Sequence, residues 1–531
     1  MADRKEQIKK ILGDIPLTAE IYWLARRSEG PNNTNFSLRK IKDVLPDSIA
    51  VAAKHRKTAP AGKKVFLFSS IHYWLDHEVL IGLALAGQGH DVTLGYYPYG
   101  KWNIPSNLFD LRQQSVYAKS TLKPVSSLMH AENLFSPNPP EVNLPETVLK
   151  AVDQVTDYDF MYALQTEDVN KSDPFYIFRH ERNLQAANKL YPYLKTLKPD
   201  VVIIPNGTIL ELGVAYRISR LLGLPTVTYE FSDQHQVMWL AQNDEIMLQN
   251  TDQLWKNAAD RKLARKEIKQ VEALMSSRQN AALYGNFSRQ WQKVPAEGAG
   301  ILKKKIGLDD RPVVLLATNV MGDSLTLGRQ VFSRSMAEWI TRTIQYFIQI
   351  PDVQLVIRIH PGEANVQHGS IHEMIMQTLP ELPEQIHVIE PLADVNTYDL
   401  MDLASIGLVY TTTVGLEMAM RGIPVVVSGQ THYRDRGFTH DPTSWVQYFK
   451  ILSLLLGNIH SGRLTKEQME LAWKYTYLFF FEYSHPFPWH MMHLKQDLQR
   501  ETVKTVLSAE GKKKYQKTFE LLTLQRNLEN Q

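Results

Sequence analysis

The sequence predicts an α/β protein made of two facing, Rossmann-like, doubly wound domains, with a helical extension at the N-terminus and further helices at the C-terminus. Three observations carry this. The chain has 531 residues, too many for a single hydrophobic core. Short apolar strands alternate with helices in two separate series, the pattern of parallel sheets covered on both faces. A breaker-rich stretch around 293–310 divides the two series, as a hinge would.

Residues 1–62 read as amphipathic helix and loop, closed by Ala59-Pro60-Ala61-Gly62, and form an appendage. The first domain is expected over 63–292. It opens with the apolar run Lys64-Val65-Phe66-Leu67-Phe68-Ser69-Ser70 and continues through a helix around Val79–Ala86 to the strand Asp91-Val92-Thr93-Leu94, one βαβ unit. Residues 103–180 carry Pro-rich loops and short helices without a strand rhythm, and read as an insertion. Alternation then resumes with a helix over 181–197, the strand Val201–Ile204, a helix over 210–222 and the strand Thr226–Tyr229. A long charged helix is expected over 252–292. The second domain, 293–450, contains strands at Val313–Leu316, Gln354–Arg358, His387–Ile389, Gly407–Tyr410 and Val425–Val427, with helices between them; 451–531 return to helix.

Composition narrows the function classes. Hydrophobic content of 44% and charged content of 22% are those of a globular chain. The absence of cysteine excludes disulfides, thiolate metal sites and a cysteine nucleophile, and fits a reducing compartment. No apolar run of about 18 residues occurs, and the first residues lack the apolar stretch of an export signal. The expected location is cytoplasmic. A net charge of +3, without basic–aromatic interleaving, argues against nucleic acid as partner. The basic clusters of the first sixty residues and Lys512-Lys513-Lys514 read as solvated faces, with peripheral contact at the inner face of an anionic membrane as the other reading.

Open α/β sheets bind ligands beyond the carboxyl ends of their strands, which makes the residues there the candidates. In the second domain these are Arg358, His360 and Pro361 after one strand, and Thr411, Thr412, Thr413, Gly415 and Glu417 after another. Hydroxyls and free amides at a helix start suit a phosphate. His360 could donate to the same phosphate, and Glu417 could accept from ribose hydroxyls. Asp157-Tyr158-Asp159 matches an Asp-x-Asp metal pattern but falls in the irregular insertion, and His485, His490 and His493 read as a packed interface. No metal and no cofactor is expected.

The span from Arg358 to Pro442 resembles the capsule polysaccharide biosynthesis family of bacterial glycosyltransferases, which includes capsular β-Kdo transferases. The matching pieces are His360-Pro361, Tyr398-Asp399-Leu400, Thr411–Glu417, Gly422-Ile423-Pro424-Val425 and Gly429–Thr439. The resemblance implies a GT-B fold, a CMP-sugar or similar donor, inversion at the anomeric carbon, and a His-Pro motif acting with a Ser/Thr motif on the donor phosphate; the expected acceptor is a glycan or glycolipid. The resemblance does not supply the general base. For that role the first domain offers Glu230, past the strand ending at Tyr229, and then Asp76, in the loop expected after the first strand. A non-hydrolysing sugar-nucleotide epimerase and an inactive subunit of a polysaccharide assembly are the alternative readings.

Overall fold

The computed structural model describes residues 2–26, 36–137, 142–290, 292–365 and 369–528. Its first sheet holds β1 (Lys64–Ile71), β2 (Asp91–Tyr99), β3 (His130–Asn133), β4 (Val201–Pro205), β5 (Thr226–Glu230) and β6 (Val237–Gln242). The second holds β7 (Val313–Ala317), β8 (Gln354–Arg358), β9 (Ile386–Ile389), β10 (Ala404–Val409) and β11 (Val425–Val427), and β12 (His485–Pro486) returns to the first. The strand orders are β12-β6-β5-β4-β1-β2-β3 and β11-β10-β7-β8-β9.

The second sheet is parallel throughout, with Val313 opposite Gln354 on one side and Val314 opposite Ile406 on the other. The first is parallel from β3 to β5, and β6 and β12 add antiparallel edges. Strands β4, β7 and β8 are buried along their whole length, because helices cover both faces of each sheet. Two parallel α/β lobes that meet across a cleft define the GT-B type of architecture. The lobes touch directly: the first-lobe Glu167 carboxylate accepts the N–H groups of Met336 and Ala337, both at 2.8 Å, at the start of the second-lobe helix Met336–Ile348. A carboxylate there satisfies otherwise unpaired amides and the positive end of the helix dipole.

Several expectations are corrected. Residues 1–62 are helical but no appendage: the helix Leu45–Arg56 lies on His72–Gly87, and Phe36, Leu38, Ile41, Leu45 and Ala52 belong to the first core. The insertion carries an edge strand, β3, whose polar His-Ala-Glu-Asn sequence gives no apolar run to read. The long helix over 252–292 is two helices, Asp252–Asn257 and Arg265–Gln279, followed by a loop that pairs Phe287 with Gln234. Ile246, Val271, Leu274 and Met275 already pack in the second core, so the chain changes lobes well before residue 293. The C-terminal helices divide as well, with Tyr475 in the second core and Leu494, Tyr515 and Phe519 back in the first.

Candidate active site

Two adjoining cavities lie where the lobes face. One, of about 500 Å³, sits on the second lobe between the ends of β7 and β8, the turn after β10 and the loop 391–398. The other, of about 250 Å³, reaches the first lobe at Ser232, Asp233 and Gln234. His360, Thr412, Thr413, Arg278 and Arg289 line both. The larger volume falls in the range of pockets that take a cofactor-sized ligand.

His360 stands at the junction, and the chain around it fixes its chemistry. Its backbone N–H donates to the Thr318 hydroxyl at 3.0 Å, tying the end of β8 to the end of β7. The Gly362 N–H donates to His360 Nδ1 at 2.9 Å. Nδ1 is therefore the acceptor, and the neutral ring carries its proton on Nε2. Burial, with the Arg289 cation adding to it, lowers the His360 pKa to about 4, so this neutral tautomer is the resting form. A side chain at position 362 would come within 2.8 Å of Val320 and 2.9 Å of the imidazole, which is why the residue after the His-Pro pair is glycine.

The threonine turn forms the neighbouring wall. The Thr411 N–H donates to Asn319 at 3.1 Å, and the Thr412 carbonyl accepts from Gly415 N–H and from the Tyr433 hydroxyl, the latter at 2.6 Å. The helix Val414–Met420 starts from Thr413, whose hydroxyl makes no capping bond. Thr412 and Thr413 line both cavities and Thr411 the smaller one. Gly415 lines neither: a Cβ there would meet the Tyr433 hydroxyl at 2.5 Å, so its role is to let the turn seat on Tyr433. Arg358 and Pro361 line the larger cavity. Arg358 donates to the Glu390 carbonyl and has no carboxylate partner among the described residues, and burial lowers its pKa to about 10. Such a cation favours an anionic ligand. Glu417 also lines this cavity, but its carboxylate is ion-paired with Arg278 at 2.7 Å and bonded to the Tyr398 side chain, an engagement that competes with the ribose role expected for it.

The first lobe treats its two candidates differently from expectation. Glu230 lines neither cavity; its carboxylate is turned back to Asn206 Nδ2 at 3.1 Å and its own neighbour's Phe231 N–H at 3.0 Å, and burial raises its pKa. Asp76 lies inside the helix His72–Gly87, not in a loop, and is fully buried with neither carboxylate oxygen hydrogen-bonded. Burial raises it to about 8, and it lines neither cavity. The carboxylate that the first lobe does bring to the cleft is Asp233, three residues past β5, with Arg289 at 3.7 Å. Arg278, Arg289, Asn319 and Arg329 were not legible as site residues, because nothing in their local sequence separates them from ordinary surface or loop positions.

The two metal patterns have structural explanations. Asp159 is buried, paired with Arg179 at 3.0 Å and accepting the Leu210 N–H at 2.6 Å, while Asp157 accepts from Tyr176. His485 lies in β12, and both His490 ring nitrogens are bonded, to the Ser232 carbonyl and the Met492 N–H. Among the described residues no group of three His, Asp or Glu side chains is arranged to hold a metal ion. None of the described helices is long and apolar enough to cross a membrane.

A two-lobed α/β protein with a cation-lined, nucleotide-sized cavity at the carboxyl ends of its second sheet is the class that fold and site define. Residues 277–448, about a third of the chain, match the model of the capsule polysaccharide biosynthesis protein family. No curated protein matches the chain. Among solved structures, the β-Kdo 2,4 transferase KpsC of Thermosulfurimonas dismutans is 18% identical, with 52% of this chain and 78% of that one covered and a TM-score of 0.34. A putative UDP-N-acetylglucosamine 2-epimerase from Listeria monocytogenes is 14% identical over 78% of this chain and 91% of that one, with a TM-score of 0.26. MurG of Acinetobacter baumannii is 13% identical over 83% and 100%, with a TM-score of 0.25.

Proposed function

We propose that this chain is a glycosyltransferase of capsular or surface polysaccharide biosynthesis that takes its sugar from a nucleotide-sugar, a CMP-Kdo-like donor being the preferred one. The observation that carries the reading is the joint placement of His360 Nε2–H and the Thr412–Thr413 hydroxyls on the wall shared by two adjoining cavities. The nucleotide would occupy the larger cavity, with its phosphate against His360, the threonines and Arg358. The sugar would lie toward the smaller one, where the acceptor hydroxyl attacks the anomeric carbon.

In that step the bond from the anomeric carbon to the phosphate oxygen breaks, its electron pair leaves with the phosphate, and the acceptor proton passes to a carboxylate. Asp233 is the residue we assign to receive it, in place of Glu230 and Asp76, because it alone of the three faces the cavity. The charge that grows on the phosphate is met by fixed donors and cations, whose electrostatic stabilisation needs no reorganisation during the reaction. Transfer accordingly proceeds without a divalent metal, and EDTA leaves activity intact; loss on chelation with recovery on added magnesium or manganese would contradict this.

The resemblance implies inversion at the anomeric carbon. The anomeric configuration of the product by NMR tests it, and retention would make the carboxylate a nucleophile rather than a base. The acceptor is a glycan or glycolipid, the latter placing the enzyme at a membrane's inner face. An epimerase would bind the same nucleotide-sugar but needs no acceptor. Incubation with donor alone separates the two, since an epimerase converts the sugar and a transferase releases it slowly. CMP and CMP-sugars should raise the melting temperature more than UDP or GDP, as ligands that bind only the folded state do; a preference for UDP or GDP would remove the CMP reading.

A further inference from the structure

The helices Ala2–Asp14 and Thr18–Arg26 form a hairpin held on the first lobe by polar as well as apolar contacts. Two of its charged side chains face the protein: Lys9 Nζ is 2.7 Å from the Asp110 carboxylate, and Glu20 is paired with Arg112 at 2.6 Å. Arg112 also donates to the carbonyls of Gly13 and Ile15, both at 2.8 Å, which fixes the turn on the helix Leu108–Leu122. Trp23 seals the contact edge-on against Tyr117. The aliphatic side chains face outward. Ile8, Ile11 and Ile15 recur at the spacing of one helix face, and so do Leu17, Ile21 and Leu24; all six are between 46% and 65% exposed. The turn itself, Ile15-Pro16-Leu17, is exposed and apolar.

A contiguous apolar face of this kind on a soluble body marks an interaction site. The hairpin's surroundings say which kind. Exposed cations flank it at Lys10, Arg26, Arg39, Lys40 and Lys42, and residues 1–57 hold twelve lysines and arginines against seven aspartates and glutamates. An apolar stripe bordered by cations is complementary to a bilayer with anionic headgroups. The location agrees. The helix Leu108–Leu122 begins after the carboxyl end of β2, and the hairpin sits on its first turns, through Gly13 against Leu108 and Phe109. This is the same end of the parallel sheet from which the segment after β5 reaches the cleft.

We propose that the hairpin of residues 2–26 is a membrane-docking element, which inserts Ile11, Leu17 and Ile21 at the surface of an anionic bilayer and sets the rim of the cleft against it. The binding itself does not depend on the glycosyltransferase reading. It adds to that reading a lipid-linked acceptor drawn from the bilayer beneath the cleft.

Flotation of the full chain with vesicles of phosphatidylcholine, alone or mixed with phosphatidylglycerol, tests it. The chain should float with the mixed vesicles and more weakly with phosphatidylcholine alone. Ile11→Glu/Leu17→Glu/Ile21→Glu should lower binding by at least about tenfold per replaced side chain, with the circular dichroism spectrum and nucleotide affinity unchanged, since none of the three lines either cleft cavity. Lys10→Glu/Lys40→Glu should remove the preference for phosphatidylglycerol while leaving the weaker binding. A chain that floats with neither vesicle, or a triple variant that floats as well as the parent, overturns the proposal. So does a parent that is a dimer by light scattering, binds no vesicle, and becomes monomeric in the triple variant, for the face then joins two copies of the chain.

Discussion

On the second-lobe wall of the cleft, Arg358, His360, Thr412 and Thr413 come from the ends of two strands of one parallel sheet, each held by backbone hydrogen bonds to its neighbours. On the first-lobe wall the carboxylate that reaches the cavity, Asp233, stands on a connection between β5 and an antiparallel strand, steadied by a loop from another part of the chain: Ser288 N–H donates to its carbonyl at 2.7 Å. The first arrangement places side chains by regular geometry, and a reader can find them by following strands to their ends. The second places them by tertiary pairing. That difference explains why an anion site can be argued from local sequence, whereas a catalytic base cannot.

The comparison breaks most sharply at Asp233. Asp233→Asn should reduce transfer by about 10²- to 10⁴-fold, the usual cost of losing a general base, while nucleotide binding is retained. Glu230→Gln, measured alongside, should keep most of its transfer, because that carboxylate is turned to Asn206 and not to the cavity. The reverse ranking in steady-state assays would restore Glu230 and take Asp233 out of the mechanism.

A second test concerns what holds the second-lobe wall together. Arg278 projects from the helix Arg265–Gln279 to the buried Glu417, and both residues are almost fully enclosed. Arg278→Met leaves an uncompensated buried carboxylate and should cost about 3–5 kcal/mol of stability. Adding Glu417→Gln should recover much of that in a denaturation double-mutant cycle, since the two sites are coupled. Full additivity would mean the pair contributes nothing to the second-lobe wall.

The smallest effect is expected at Asp76. Its folded pKa, about 8, lies above the ordinary 3.8, so the fold holds it protonated. The unfolded chain gives up that proton first, and the stability it contributes is present below the ordinary value and lost as pH rises toward 8. Asp76→Asn, which cannot ionise, should lose less stability than the parent between about pH 5 and about pH 8, with transfer unaffected. A parallel pH dependence in the two proteins would show that Asp76 does not titrate in this way.

Much of the fold was legible because buried parallel strands are apolar on both faces: β1, β4, β7, β8, β10 and β11 all appear as continuous runs in the sequence. What was not legible follows from the same physics. Strand β3 is a polar edge and shows no apolar run, whereas β6 carries the apolar run Val237-Met238-Trp239-Leu240-Ala241 but pairs antiparallel with β5, outside the strand–helix alternation that marks the parallel strands. The charged stretch after 252 reads as one exposed helix, although part of it breaks to form the cleft wall and delivers Arg278 and Arg289. The position after a strand was the right place to look for Glu230, but strand alternation turns its side chain away, and the next residues carry the chain around to present Asp233.

The central claim is that the second-lobe wall holds the donor phosphate through the Nε2 proton of a neutral His360. Calorimetric titration of CMP into the parent, His360→Ala and Asp233→Asn tests it most directly. Affinity should fall by about tenfold or more in His360→Ala, with turnover down by about 10²- to 10³-fold, the usual cost of removing a charge-stabilising donor, and should stay at the parental value in Asp233→Asn. Parental CMP affinity in His360→Ala would contradict the account.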